Sequence, residues 1–211
     1  MSAGLQIIND AGTVQIDETY KNLCFRERRA ISLSHSAGNA YHDIVITGRT
    51  VLVAMQSQYY APFLLSTQFD GTNWTYRWGF TFLGAGYPSS GTAYLWIFDD
   101  APPNPDSFGF EVYDAAGELI FQSNAKVLKI SGVRGNASGF AGAAGRVLVP
   151  LILEASIYPV LVPVSGQYIN HSLALLSAAN AISPVQIPMS NGFVGYRSDG
   201  VFAAVDVTGY A

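Results

Sequence analysis

Charge is scarce in this sequence. Only 12% of its 211 residues are Asp, Glu, Lys or Arg, about half the usual share of roughly 25%. A free monomer normally wears more charge. The composition therefore admits two readings: a domain surfaced with Ser, Thr, Asn and Gly, or a subunit that buries surface against partners. Basic residues are the scarcer sign. Eleven Lys and Arg against fifteen Asp and Glu give a net charge of −4 and a pI near 5.2, so no broad face attracts a phosphate backbone and no nucleic-acid partner is expected. The one basic cluster, Arg26, Arg28 and Arg29, is interrupted by Glu27 and reads as a loop or strand edge.

Cysteine is almost absent. Cys24 is the only one, which excludes an intramolecular disulfide and a disulfide-built fold. A secretory leader is not expected, because Asp10, Asp17 and Glu18 fall where its apolar stretch would lie. A membrane span is not expected either. The most apolar run, 147–164, carries Pro150, Pro159, Pro163 and Glu154, and three prolines break the helix that lipid demands. Synthesis in a cytoplasm, with no oxidising compartment, suits the chain.

Apolar residues are plentiful, at 49%, enough for a buried core. Their spacing is that of strands. Trp74, Tyr76, Trp78, Phe80 and Phe82 alternate with Thr75, Arg77, Gly79 and Thr81, a period of two that predicts a strand with one aromatic face. Tyr94, Trp96 and Phe98 repeat the alternation, with Leu95 and Ile97 opposite, as in a strand buried on both faces. Turn clusters recur at Asp70-Gly71-Thr72-Asn73, Gly84-Ala85-Gly86 and Pro88-Ser89-Ser90-Gly91, the punctuation of sandwiches and barrels. One helix is expected over Ser172–Ala181, ended by Pro184. The Gly- and Ala-rich stretch 132–145 reads as a flexible loop, and 101–106 (APPNPD) as a stiff linker.

The chain also repeats itself. Residues 4–17 (GLQIINDAGTVQID) predict a β-hairpin, with turn residues Asn9, Asp10, Ala11 and Gly12. Residues 109–122 (GFEVYDAAGELIFQ) match them in kind without gaps: Gly4 with Gly109, Ile7 with Val112, Asn9 with Asp114, Gly12 with Gly117, Ile16 with Phe121. Gly48-Arg49-Thr50-Val51-Leu52-Val53 is echoed by Gly145-Arg146-Val147-Leu148-Val149, and the 60–68 stretch by 158–167. Collinear order predicts an all-β chain of tandem duplicated β-sandwich-like domains, 1–107 and 108–211, each opening with a hairpin.

No constellation for catalysis emerges. His35, His42 and His171 are too few and too scattered for a metal site, so none is expected, and no cofactor. Ser34-His35-Ser36-Ala37-Gly38 lacks the first glycine of a nucleophile elbow. Asp99, Asp100, Asn104 and Asp106 fit no standard calcium-loop spacing, and no Gly-rich phosphate loop ends in Lys. A paired-carboxylate polysaccharide hydrolase has no candidate that stands out. The aromatic strand offers sugar-stacking faces, but a sandwich core is the commoner use of such a row. Tyr59, Tyr60 and Tyr87 adjoin turns and are the candidate residues for exposed contacts.

Phe108–Ile130 (FGFEVYDAAGELIFQSNAKVLKI) resembles a recurring signature of tailed-bacteriophage tail-tip, minor tail and tail-fibre proteins. The matching positions are Gly109, Phe110, Val112, Tyr113, Asp114, Gly117, Leu119, Phe121 and Ser123. Residues 4–17 match the pattern again, and Tyr94–Asp99 (YLWIFD) fits the approach to the second hairpin. Gln122 replaces the usual acidic residue, and Glu18 stands where Ser would follow Asp17. The likeness covers about a third of the chain. It implies a virion structural protein, made in the bacterial host cytoplasm and placed in the tail. The implied role is assembly and host attachment as a homotrimer docked on other tail or baseplate proteins, with no catalytic residues. A carbohydrate-binding module that recognises a cell-surface glycan is the alternative.

Overall fold

A computed structural model describes residues 7–8, 14–16, 22–34, 39–82, 89–100, 109–135, 138–154, 157–162, 167–178, 180–188 and 200–210. Among them the chain is built of β-strands, with no α-helix, so the all-β expectation stands.

The first half opens with hairpin β1 (Ile7–Ile8) and β2 (Val14–Ile16). Six strands follow: β3 (Cys24–Ser34), β4 (Asn39–Thr47), β5 (Leu52–Gln56), β6 (Tyr60–Phe69), β7 (Asn73–Phe82) and β8 (Ser90–Asp99). They form two antiparallel sheets of order β3-β8-β5 and β4-β7-β6. The predicted aromatic strand is β7. Trp74 is half-buried, while Tyr76, Trp78 and Phe80 are buried with Ile44, Ile46, Val53, Leu95 and Ile97 between the two sheets. Water-excluded aromatic area of this kind dominates core energetics. The β6–β7 turn forms because the Asp70 carboxylate accepts the N–H groups of Thr72 and Asn73 (2.9 and 2.7 Å), while Gly71 supplies the left-handed backbone (φ 99°).

The second half opens in the same way, with hairpin β9 (Glu111–Tyr113) and β10 (Leu119–Gln122). Its turn uses the same chemistry. Asp114 accepts from Ala116 and Glu118 (2.9 and 2.8 Å), and Gly117 is left-handed (φ 81°). Then come β11 (Ile130–Gly135), β12 (Phe140–Ala141), β13 (Leu148–Glu154), β14 (Ile157–Val162), β15 (Gln167–Ala178), β16 (Ala181–Pro188) and β17 (Val201–Asp206). The sheets are β11-β17-β13 and β12-β16-β15-β14.

The strand order of the first unit thus recurs in the second, with β14 added outside β15. The correspondence extends to irregularities. A β-bulge interrupts β3 between Phe25 and Glu27, and another interrupts β11 between Ile130 and Gly132. Carrying the hairpin match of Gly4 with Gly109 forward unbroken brings these two bulges into register, and bulges are built features rather than accidents.

Three sequence expectations are corrected. The helix expected over 172–181 is the end of β15 and the start of β16, because Ser172–Ala178 pairs with β16 and Ser172 also pairs with β14; sheet pairing overrides local helix propensity. The 132–145 stretch holds β11 and β12 rather than a flexible loop. Gly132 is required there because a Cβ would fall 2.6 Å from the Phe140 ring. The counterpart of β6 by sheet position is β15, whereas 158–162 lies in the additional strand β14.

The two central sheets meet face to face. Alternation sends Val53 and Met55 of β5, with Val51 just before it, to the first unit's own core, and Ala54, with half-buried Leu52, to the second unit. Likewise Leu148 faces the second unit's core, Val149 and Leu151 face the first unit, and half-buried Ile152 packs against the cores of both. Trp96 and Phe98 of β8 meet Ala203 and Val205 of β17 in this shared layer. The apolar run 147–164 therefore supplies an inter-unit surface through β13. Backbone bonds tie the units at one point: Leu128 N–H donates to Leu23 C=O and Phe25 N–H to Lys126 C=O, both at 2.7 Å. Leu23 and Leu128 stand at the same spacing as Gly4 and Gly109. The linker expected at 101–106 lies outside the described residues.

Candidate functional surfaces

Many of the described charges pair with one another within the chain. Asp99 ends β8 and is 1% exposed. It receives Arg26 Nη1 at 2.8 Å and the Thr50 N–H at 3.0 Å, and Arg26 also donates to the Thr47 carbonyl at 2.6 Å. Charge-assisted bonds of this kind offset the desolvation of a buried carboxylate. Asp206 ends β17 at the matching place and receives Arg146 Nη1 at 3.0 Å and the Thr208 N–H at 3.0 Å. Burial pushes the Asp206 carboxyl up, but the Thr208 hydroxyl and N–H, with Arg146 and Lys129, outweigh it and hold the pKa below the ordinary 3.8. The Gly-Arg pairs of the sequence repeat therefore have a shared task. Arg49 reaches Glu118 at 3.0 Å and Asp100 at 3.5 Å, fastening the second hairpin to the first unit, and Arg146 fastens the end of β17.

These contacts settle the acidic group at 99–106. Asp99 is an ion-pair partner within the sheet, and Asn104 and Asp106 lie outside the described residues. Among the described residues, His, Cys, Asp and Glu nowhere gather in threes as cation ligands. His42 packs edge-on against Phe80, with ring centroids 5.6 Å apart. His35 is outside the described residues, and β15 contains His171. Cys24 is buried, and burial pushes its thiol up to about 11, away from nucleophile behaviour near neutrality.

The three tyrosine candidates part company. Tyr59 is exposed at the β5–β6 turn. Tyr60 is 3% exposed and belongs to the first unit's core, so its expected role as an exposed contact is corrected: it is the first residue of β6, and its N–H is held by Ser57 Oγ at 3.3 Å, at a residue itself buried. Tyr87 lies outside the described residues. Tyr76, Trp78 and Phe80 of the β7 row are core rather than a sugar platform, while half-buried Trp74 stacks on exposed Phe69.

Sequence reasoning missed a different group. Arg28 of β3 sits over Tyr94 of β8, its guanidinium carbon 3.9 Å from the ring centroid and 5.2 Å from that of Trp96. The Trp96 indole N–H donates to Gln56 Oε1 at 3.2 Å. The alternation of Tyr94, Trp96 and Phe98 was a readable signal for one face, but the pairing of Arg28 with it depends on the bulge at Phe25. Exposed apolar side chains include Phe110 and Tyr113 on the second hairpin, and Ile130, Val133 and Leu153 in the β11-β17-β13 sheet.

Comparison with known proteins finds no match among family models, curated proteins or solved structures.

Proposed function

We propose that the chain is a structural subunit of a tailed-bacteriophage tail tip or fibre, serving assembly and host attachment rather than catalysis. The observation that carries this reading is the hairpin pattern of those proteins occurring twice, with both occurrences folded as antiparallel hairpins ahead of a pair of packed sheets. Three further features support it. Charged groups are few and many of the described ones are engaged within the chain. Half-exposed apolar side chains remain on the second hairpin and on β11 and β13, as a surface awaiting protein partners would have. The shared strand order and matched bulges support a tandem duplication of one sandwich-like unit. Other tail or baseplate proteins, and two further copies in a homotrimer, are the partners this reading names.

Two measurements test it. Light scattering across a dilution series is expected to give the mass of a stable trimer. Antibody raised against the chain is expected to label the distal tail of purified virions. Virions that lack the chain, or that carry it only in the head, overturn the proposal.

A further inference from the structure

The face that β3-β8-β5 turns toward the second unit extends beyond the part the second unit covers. Trp96, Phe98 and Ala54 are buried there. One step outward along the same face, Ala30 and Thr92 are exposed, and Tyr94 and Gln56 are half-buried. Arg28 overhangs this shelf. Arg26, Arg29, Arg49, Arg77 and Arg146 each meet a carboxylate, and Arg134 donates to a backbone carbonyl. Arg28 alone among the described arginines has no acceptor for its N–H groups, and it rests over the Tyr94 ring at 3.9 Å. A guanidinium seated on an aromatic ring with its fork unused is available for bidentate recognition of a carboxylate. Gln56 sits across β8 from Arg28. Its oxygen accepts from Trp96, so its amide N–H groups are left as a second donor. The strands carrying Arg28 and Gln56 flank β8, two strand spacings or about 10 Å apart, and the small Ala30 and Thr92 leave the shelf flat.

We propose that Arg28, Gln56 and Tyr94 form a binding site for a carboxylate-bearing saccharide, a uronate or sialate unit of a surface polysaccharide. Arg28 takes the carboxylate, Gln56 donates to a ring substituent, and the flat shelf takes the ring. A single available cation suits a ligand with one carboxylate per ring. An acidic peptide would want several, and the neighbouring Arg26 and Arg29 are committed to Asp99 and Glu27 and reach toward β4 instead. The inference rests on the tail reading only for the kind of surface the molecule meets, so its test uses the purified full chain and is independent of virion labelling.

The experiment titrates isotopically labelled chain with N-acetylneuraminic acid, glucuronic acid, acetate and N-acetylglucosamine. It follows the Arg28 Nε–H and Trp96 indole resonances. Saturable shifts are expected with at least one acidic sugar, with a Kd on the order of 1 mM. Arg28→Gln weakens that affinity about tenfold or more, and Arg28→Lys also weakens it because the fork is lost. The Trp74 and Trp78 resonances, unchanged in both variants, show that the fold survives. No saturable shift up to about 50 mM of either acid overturns the site. Equal shifts from acetate, or equal affinity for N-acetylglucosamine, overturn the saccharide assignment or the role of Arg28 respectively. Tighter binding of a Glu-rich hexapeptide than of either sugar assigns the shelf to a protein partner and also overturns the proposal.

Discussion

The two units share a strand order and fill it differently. Between its sheets the first unit holds Trp78, Phe80, Tyr76 and Tyr60 with a group of aliphatics. Among the residues whose side chains are described, the second holds Leu148, Ile182, Phe202 and Ala204. What they have in common is the face they turn to each other. Each inner sheet is buried on both sides, so β8 and β17 carry apolar residues at successive positions, Leu95-Trp96-Ile97-Phe98 and Phe202-Ala203-Ala204-Val205. The outer sheets need only one apolar face. The comparison teaches that the two cores are joined through the shared layer, where first-unit aromatics supply the bulk: Trp96 and Phe98 cluster with Ala203 and Val205.

The sharpest way to break this comparison is to remove bulk from the shared layer. Phe98→Ala is expected to cost about 3–5 kcal/mol, as for other fully buried Phe truncations. All three tryptophans, Trp74, Trp78 and Trp96, are in the first unit, so indole fluorescence follows that unit while far-ultraviolet circular dichroism follows both. In the parent the two signals are expected to melt together. Phe98→Ala should separate them, because the second unit loses its support. Phe202→Ala, in the second unit's own core, should lower stability without making the first unit melt at a lower temperature than the second. Coincident transitions in Phe98→Ala would show that the shared layer does not couple the units.

Much of this organisation was legible in the residues. The two-residue period of 74–82 marked β7 and its inward face, and the Asp-to-Gly turns marked their hairpins, because those signals are local. What was not legible depended on distant packing. The sequence Ile130-Ser131-Gly132-Val133-Arg134-Gly135 has weak strand propensity, yet pairing with β17 makes it a strand, and its glycine is demanded by Phe140. The turn before Tyr60 announced exposure, but packing between the sheets buries that ring. Arg28 looked like part of a basic cluster until the sheets sent Arg26 and Arg29 toward β4 and left Arg28 on the opposite side.

A milder contrast lies in the carboxylates that end β8 and β17. Asp99→Asn leaves Arg26 without its charge partner at a site where the acid side chain is 1% exposed, and a cost on the order of 2–3 kcal/mol is expected in urea unfolding. Asp206 is 10% exposed and its Arg146 partner 53%, so Asp206→Asn should cost about 1 kcal/mol. The Asp206 pKa lies below 3.8 in the folded chain, so the unfolded chain binds that proton more tightly. Its stabilisation is present above pH 3.8 and is lost as pH falls through the lower folded value. Asp206→Asn should therefore show a shallower loss of stability below about pH 4 than the parent. Equal slopes would remove Asp206 from the acid response.

The finest contrast is between two glycines that both look cramped. At Gly79, in β7, an added Cβ would lie 2.2 Å from Cζ of the Phe63 ring. Phe63 is 3% exposed, on the edge strand β6, and a planar ring stacked over a strand cannot yield except by moving as a whole. At Gly142, in the second unit, an added Cβ would lie 2.6 Å from Leu148 Cδ1. That atom is the end of a branched chain with rotamers available. Gly79→Ala should thus cost about 1–3 kcal/mol, the range for overpacking. Gly142→Ala should cost less than about 1 kcal/mol, since alanine also restricts the unfolded chain and offsets part of the clash. Thermal melts of the two variants decide the point. A Gly79→Ala protein as stable as the parent would mean that Phe63 can leave the strand surface, and that the first unit yields to an added methyl group as readily as the second.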